Sequence, residues 1–343
     1  MSISRARVVL SLLDTLVGLK IFDVIHYATP NFLTVLNYHR IEDPFKQGFD
    51  TFKPNISATP QEFSRQMEYV KARFNVITCE QLAACLRGEK KLPPHAAIIT
   101  FDDGYTDNLT NALPILQKYN LPAVIFLTTD FMGSDLPFYW DAVAYCFYHT
   151  KKNDAFLPLT GECSWHDEHS RERIMLRWIE AVKKLPEDEK RAMIRQIGPL
   201  LDVDIPAGAF ANLHLTWEQV RAMRRSGIEF GSHTAAHPIL TRIPLEQARR
   251  EIQESKRKIE AEIAEPVISL AYPNGGSADF SPDVMEAARQ AGIEVAFTLL
   301  SGPTRYATVR KNPLAVRRIF LTYHDTFSKF VMKLMGITRL LNK

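Results

Sequence analysis

Seven short apolar runs punctuate this chain, and several of the stretches between them carry helix-start signals. The runs are Phe32–Tyr38, Ala96–Phe101, Ala123–Thr128, Ile228–Gly231, Val267–Ala271, Val295–Leu300 and Ala315–Leu321. Thr59 and Glu62 form a capping box with Pro60 in the first turn. Thr216 and Gln219 form a second box, and Ser281-Pro282 opens a helix that Gly292 closes. Leu245 to Ala264 reads as a long charged helix. Apolar strands alternating with helices predict an α/β fold in which a parallel sheet is covered on its faces. Pattern alone allows either a closed barrel of about seven strands or an open doubly wound sheet.

One stretch breaks the rhythm. Residues from about 134 to 213 hold no good strand, but Ile174, Trp178, Ile179, Val182 and Leu185 fall at helical spacing. We read this stretch as a helical insertion on the main domain, because no linker or repeat sets it apart. The domain then runs over 32–321, between an amphipathic helix at 1–31 and another at 322–343. Asp14, Lys20 and Asp23 interrupt the first apolar stretch, which is too short and too charged to span a bilayer. No small-residue cleavage site follows it, so it makes a poor signal peptide. Phe330, Val331 and Leu334 sit among Lys329, Lys333 and Arg339 in the second helix. Packing on the domain is the expected use of that stripe, with peripheral membrane contact through the terminal helices held open. The compartment is left undecided between cytoplasm and membrane surface.

Composition removes other classes. With 46% hydrophobic and 24% charged residues the chain is neither disordered nor fibrous. Its 42 Lys+Arg against 39 Asp+Glu give no basic excess, and no nucleic-acid partner is expected. The four cysteines lie far apart without a C-x-x-C pair, so buried reduced thiols are expected.

Two segments could carry chemistry. Asp102-Asp103-Gly104 ends an apolar strand, where β/α proteins gather ligands and catalytic groups. Neighbouring strand residues face opposite ways, so both carboxylates reach one site only if the chain leaves strand geometry, which Gly104 permits. An ordinary turn with Asp102 as a helix cap is the plainer alternative. The second segment, Gly231-Ser232-His233-Thr234-Ala235-Ala236-His237, supplies two histidines four apart beyond another strand. On one side of a helical turn they would share a divalent metal. Asp103 could be the third ligand, and two histidines with one carboxylate leave an open position, as in a catalytic zinc site. Iron or cobalt would suit the same donors. His166 and His169, three apart, suggest a second site, but a solvated polar turn is the expected reading.

The TFDDGY and SHTAAH segments, in this order, resemble the first two motifs of the polysaccharide deacetylases (NodB homology, carbohydrate esterase family four). LTWEQVRAMRRSGIEFGSHTAAHPIL and LAYPNGGSADFSPDVMEAARQAG extend the likeness over most of the chain from Phe32 to about Phe320. The resemblance implies a distorted (β/α)-barrel that removes N-acetyl groups from amino sugars with a bound divalent metal, expected to be Zn2+. It makes Asp102 the base and Asp103, His233 and His237 the ligands. Where the family usually has an arginine beside the base this chain has Ala271, which leaves the tuning of Asp102 unaccounted for. The poly-N-acetylglucosamine deacetylase-like branch also carries Tyr-Pro here, matching Tyr272-Pro273, and takes its acid from an early Tyr-His. Tyr38-His39 matches that pair, so His39 is preferred as the acid over His324, whose Leu321-Thr322-Tyr323-His324 has one residue too many.

An amide is a poor electrophile and an amine a poor leaving group. The metal would polarise the carbonyl, Asp102 would take the proton of water, and protonated His39 would donate to the departing nitrogen. The backbone N–H of Asn274, after Pro273, is the expected support for the oxyanion. Tyr105 and Asp141 are expected on the substrate side, with Trp140-Asp141 lining the groove. The partner is then an acetylated polysaccharide or glycan. An O-acetyl esterase on the same site and a catalytically silent carbohydrate-binding protein are the rivals. The missing arginine favours silence, and the intact carboxylates and histidines speak against it.

Overall fold

The computed structural model describes residues 31–337. The helix expected over 1–31 falls, but for its last residue, outside that range, as do residues 338–343.

All seven apolar runs form strands: β1 (Phe32–Tyr38), β2 (Ala96–Phe101), β3 (Val124–Leu127), β4 (Glu229–Ser232), β5 (Ser269–Ala271), β6 (Val295–Ser301) and β7 (Val316–Phe320). Each pairs in parallel with the next. β7 then returns to β1 through Leu36↔Ile319 and Asn37↔Phe320, which closes the ring and excludes the open sheet. The register between β6 and β7 shifts beyond Phe297, one source of the barrel's distortion.

The two-residue period of the strands sorts their side chains. Leu33 and Val35, Ala96 and Ile98, Val124 and Phe126, Val295 and Phe297, and Val316 pack together inside the barrel. The alternate set, including Leu36, Tyr38, Ile99, Phe101 and Ile125, packs outward against helices such as Pro60–Arg73. The same parity carries Asn37, Thr100, Asp102 and Arg318 into the interior above the apolar layer. All four are buried. The barrel is therefore apolar at its base and polar at the carboxyl ends of its strands.

Local signals explain the helices. Thr216 and Gln219 make both capping-box bonds at Trp217–Arg225. Thr59 and Ser281 each accept the backbone N–H three residues on. Phe330, Val331 and Leu334 of helix Phe327–Leu334 are buried, and Tyr69 packs edge-on against Phe327 and Phe330. The core thus consumes the apolar stripe that was held open for a membrane surface. No helix among the described residues is long and apolar enough to cross a membrane.

The insertion is helical around its own core, in which Met175, Trp178, Ile179 and Val182 meet Phe147 and Trp165. It also contains a short antiparallel hairpin, Asp154–Leu157 with Gly161–Ser164, which differs from the strand-free reading of this stretch. Both strands are only four residues long and half exposed; Ala155-Phe156-Leu157 is apolar but too short a run to mark a strand, and Gly161–Ser164 has no apolar run at all. All four cysteines are buried free thiols.

Candidate active site

Asp102 and Asp103 leave the end of β2 on different courses. Asp102 continues the inward parity of Ile98 and Thr100. Asp103 would face outward, but its backbone turns left-handed (φ 77°), as does that of Gly104 (φ 73°). A Cβ at Gly104 would meet only the movable ends of the Leu127 and Met132 side chains, at 2.9 Å, so it is the left-handed backbone that favours glycine here. Leu215 and Thr106 stitch this turn to residues 213–215 by backbone hydrogen bonds of 2.9 and 3.0 Å.

His233 and His237 follow β4. The expected helical turn is absent: Thr234 and His237 are left-handed (φ 70° and 60°), and the segment is an irregular loop. Its order comes from hydrogen bonds. Ser232 Oγ accepts from Thr234 N–H, Thr234 Oγ1 from His237 N–H, and the buried Glu251 carboxylate from Ala235 and Ala236 N–H, both at 2.9 Å. The loop still brings the imidazoles together, with ring centroids 4.7 Å apart. Each Nε2 stands 3.6 Å from Asp103 Oδ1.

This trio fits a metal. Both Asp103 oxygens are buried without a hydrogen-bond partner. Burial, then the charge of Asp102, pushes the Asp103 carboxyl well above its ordinary range. Burial pulls both histidines down, keeping the neutral rings a cation needs. His233 Nδ1 donates to the Ala271 carbonyl at 2.7 Å, which turns a bare Nε2 toward Asp103. A divalent cation would supply the charge and the bonds that Asp103 lacks. Among the described residues this is the one group of three or more such side chains close enough to hold an ion, and His166 and His169 lie exposed beside the Asp167 helix cap.

Asp102 is held differently. Arg318 of β7 donates to both its oxygens, at 2.7 and 2.8 Å, and Asn37 donates to Oδ2 at 3.0 Å. Burial opposes the charge, but Arg318, with lesser help from His233 and His39, holds this carboxyl well below the usual range. The arginine missing at Ala271 is thus present two strands away. Its inward place, two residues after Val316, was legible from strand parity.

His39 lies just past β1 with Nε2 3.9 Å from Asp102 Oδ2. Its backbone N–H donates to Ser57 Oγ and its carbonyl accepts from Asn108 Nδ2. Burial pulls the imidazole down to about 4, so it is neutral at pH 7. His324 is exposed and stacks beside Tyr323, away from these groups.

A cavity of about 400 Å³ opens over the cluster, with His39, Asp102, Asp103, His233, His237 and Asn274 in its wall. Trp140 also lines it, as expected, but Asp141, Tyr105 and Pro273 lie behind the wall. Tyr105 is fully buried, its hydroxyl donating to Asp141 at 2.8 Å and accepting from Trp140 Nε1 at 2.9 Å. Both therefore hold Trp140 rather than face a substrate. Sequence reasoning missed Phe52, Asn55 and the insertion residues Ile179 and Glu180, which close the cavity's sides. No local motif marks them.

A closed seven-stranded parallel barrel with an arginine-gripped aspartate beside an Asp-His-His cluster defines a class of barrel whose strand ends carry a side-chain cluster able to hold a metal ion. The chain belongs to the polysaccharide deacetylase family, whose model matches residues 89–296. A Bacillus subtilis protein, YxkH, provisionally named a polysaccharide deacetylase, is 21% identical over 80% of this chain and 66% of its own length. A poly-beta-1,6-N-acetyl-D-glucosamine N-deacetylase of Staphylococcus epidermidis is 33% identical over 30% of this chain. The chain thus spans just under two thirds of the first relative and 38% of the second. Among solved structures, the Streptococcus pyogenes deacetylase PplD shares the fold with TM-score 0.58 at 17% identity, covering 89% of this chain and 99% of that one. A de-N-acetylase from Aggregatibacter actinomycetemcomitans does so with TM-score 0.57 at 18% identity, over 89% and 100%.

Proposed function

We propose that this protein is a metal-dependent deacetylase of an N-acetylated amino-sugar polymer, of the poly-N-acetylglucosamine type. The observation that carries this reading is the shared cavity wall: an Asp-His-His ligand set, a separate ionised aspartate and a histidine within reach of it. Asp103, His233 and His237 would hold the ion, zinc by the character of the donors. Once bound, that ion supplies Lewis-acid polarisation and a lowered pKa for water.

The chain's own residues manage the protons. Arg318 keeps Asp102 a carboxylate throughout the working pH range, aimed into the cavity as general base. Asp102 Oδ2 lies 3.9 Å from His39 Nε2, so a movement of about 1 Å would bring the two to hydrogen-bond length for the proton Asp102 takes up. His39 can then pass that proton to the departing nitrogen, so base and acid act as one relay. The backbone of Asn274, left-handed at φ 60°, lines the cavity where an oxyanion would need a donor. Relatives named as poly-beta-1,6-N-acetyl-D-glucosamine N-deacetylases support the sugar class.

Acetate release from β-1,6-linked N-acetylglucosamine oligomers by the zinc-loaded protein tests the reading. Asp102→Asn should abolish most turnover while keeping the metal. Release from O-acetylated glycans alone would replace the amidase reading with an esterase.

A further inference from the structure

Phe45 is the most exposed large apolar side chain among the described residues, at 78%. A single exposed ring is ordinary, but this one is built into a group. Asp43 Oδ1 accepts from Phe45 N–H at 2.9 Å, which fixes the loop. The Phe45 ring meets Tyr323 edge-on at 6.1 Å, and Tyr323 lies 3.9 Å from the His324 ring. Lys53 Nζ stands 6.0 Å from the Phe45 ring and 5.4 Å from that of Tyr148, and pairs with Glu168.

This patch joins the cavity. Phe45 and Tyr323 lie on the loops after β1 and β7, neighbouring strands whose ends carry His39 and Phe320 in the cavity wall. Tyr323 N–H donates to the Ile56 carbonyl at 3.0 Å, one residue from the cavity-lining Asn55. Helix Glu168–Val182 measures the span: Glu168 touches the patch through Lys53, while Ile179 lines the cavity. Eleven residues of helix at ~1.5 Å each make ~16 Å, longer than one hexose ring.

We propose that Phe45 and Tyr323 form a stacking platform for a second sugar of the same glycan chain, outside the unit whose acetamido group enters the cavity. A hexose offers an apolar C–H face to an aromatic ring and hydroxyls at its edge, where Lys53 and Glu168 provide charged hydrogen-bonding partners. The inference rests on the glycan reading above and makes chain length a determinant of affinity.

The test compares a disaccharide with a pentasaccharide of β-1,6-linked N-acetylglucosamine. Binding is read by calorimetric titration in the Asp102→Asn background, and kcat and KM in the otherwise wild-type enzyme. Phe45→Ala should weaken pentasaccharide binding and raise its KM about tenfold, leave the disaccharide unchanged, and spare kcat. Phe45→Trp should restore the affinity. Equal losses on both lengths, or none on the pentasaccharide, would overturn the platform. So would loss of binding to anionic lipid vesicles with pentasaccharide affinity intact, which would assign the patch to a membrane surface. Failure of the wild type to release acetate from either oligomer sinks the deacetylase reading instead, while the titration still reports on the platform.

Discussion

Arg318 grips both carboxylate oxygens of Asp102 from the far side of the barrel seam, 216 residues away in sequence. The pair is buried, so the guanidinium is the counter-charge that makes an ionised aspartate tolerable at this depth. It also answers the absence of an arginine at Ala271, because a ring of strands lets the same charge arrive from a different strand.

Removing that counter-charge should be expensive. Arg318→Met leaves Asp102 buried and unpaired, for a loss of about 3–5 kcal/mol in denaturant unfolding. The double variant with Asp102→Asn should regain part of it. In Arg318→Lys, which keeps charge but loses the two-pronged contact, the Asp102 carboxyl should titrate higher and the acid limb of the rate profile should move up in pH. An unchanged limb would mean that Arg318 does not tune the base.

Metal content separates ligands from supports. The purified protein should carry about one divalent ion per chain, and His237→Ala should lose most of it by elemental analysis. Glu251→Ala touches no metal but frees the N–H groups of Ala235 and Ala236. It should weaken metal affinity by about 10–100-fold, the usual cost of losing an outer support. Equal metal in wild type and His237→Ala would remove the site as drawn.

The two candidate acids are separable by leaving group. His39→Ala should cut deacetylation of an N-acetyl sugar by about a hundredfold or more, and much less on an activated acetate ester that needs no proton. His324 is exposed, so His324→Ala should stay near wild type on the ester and on short amides. A large amide-selective loss in His324→Ala would reverse the assignment.

Stability should fall on acidification in a window set by buried imidazoles. His214, enclosed by the rings of Tyr105, Phe131 and Phe138, is pulled down to about 3 by burial, and His39 to about 4. Each binds fewer protons folded than unfolded below the ordinary value of 6.5, so stability rises with pH across that window and is lost as pH falls through it. With chelator present, the urea midpoint should drop between about pH 6.5 and 4, and His214→Gln should flatten part of the slope. An unchanged slope in that variant would clear His214.

The strands, the capped helices and the two segments that carry the proposed ligands were legible in the chain because their causes are local. Period-two apolar runs write β1 to β7, side-chain caps write the helix starts, and Asp102-Asp103-Gly104 and His233/His237 follow strand ends where a β/α chain places its chemistry. The short hairpin in the insertion escaped because strands of four residues, half of them exposed, are too short to show a period. Ring closure through β1 and β7, the grip of Arg318 on Asp102, and the retreat of Tyr105 and Asp141 behind Trp140 were decided only in three dimensions. Each depends on which strands become neighbours and which polar groups find a partner once buried, and those contacts span tens to hundreds of residues. Glu251 makes the point most simply: along its helix it is one charge among many, and only the fold sets it beneath the loop that carries the two histidines.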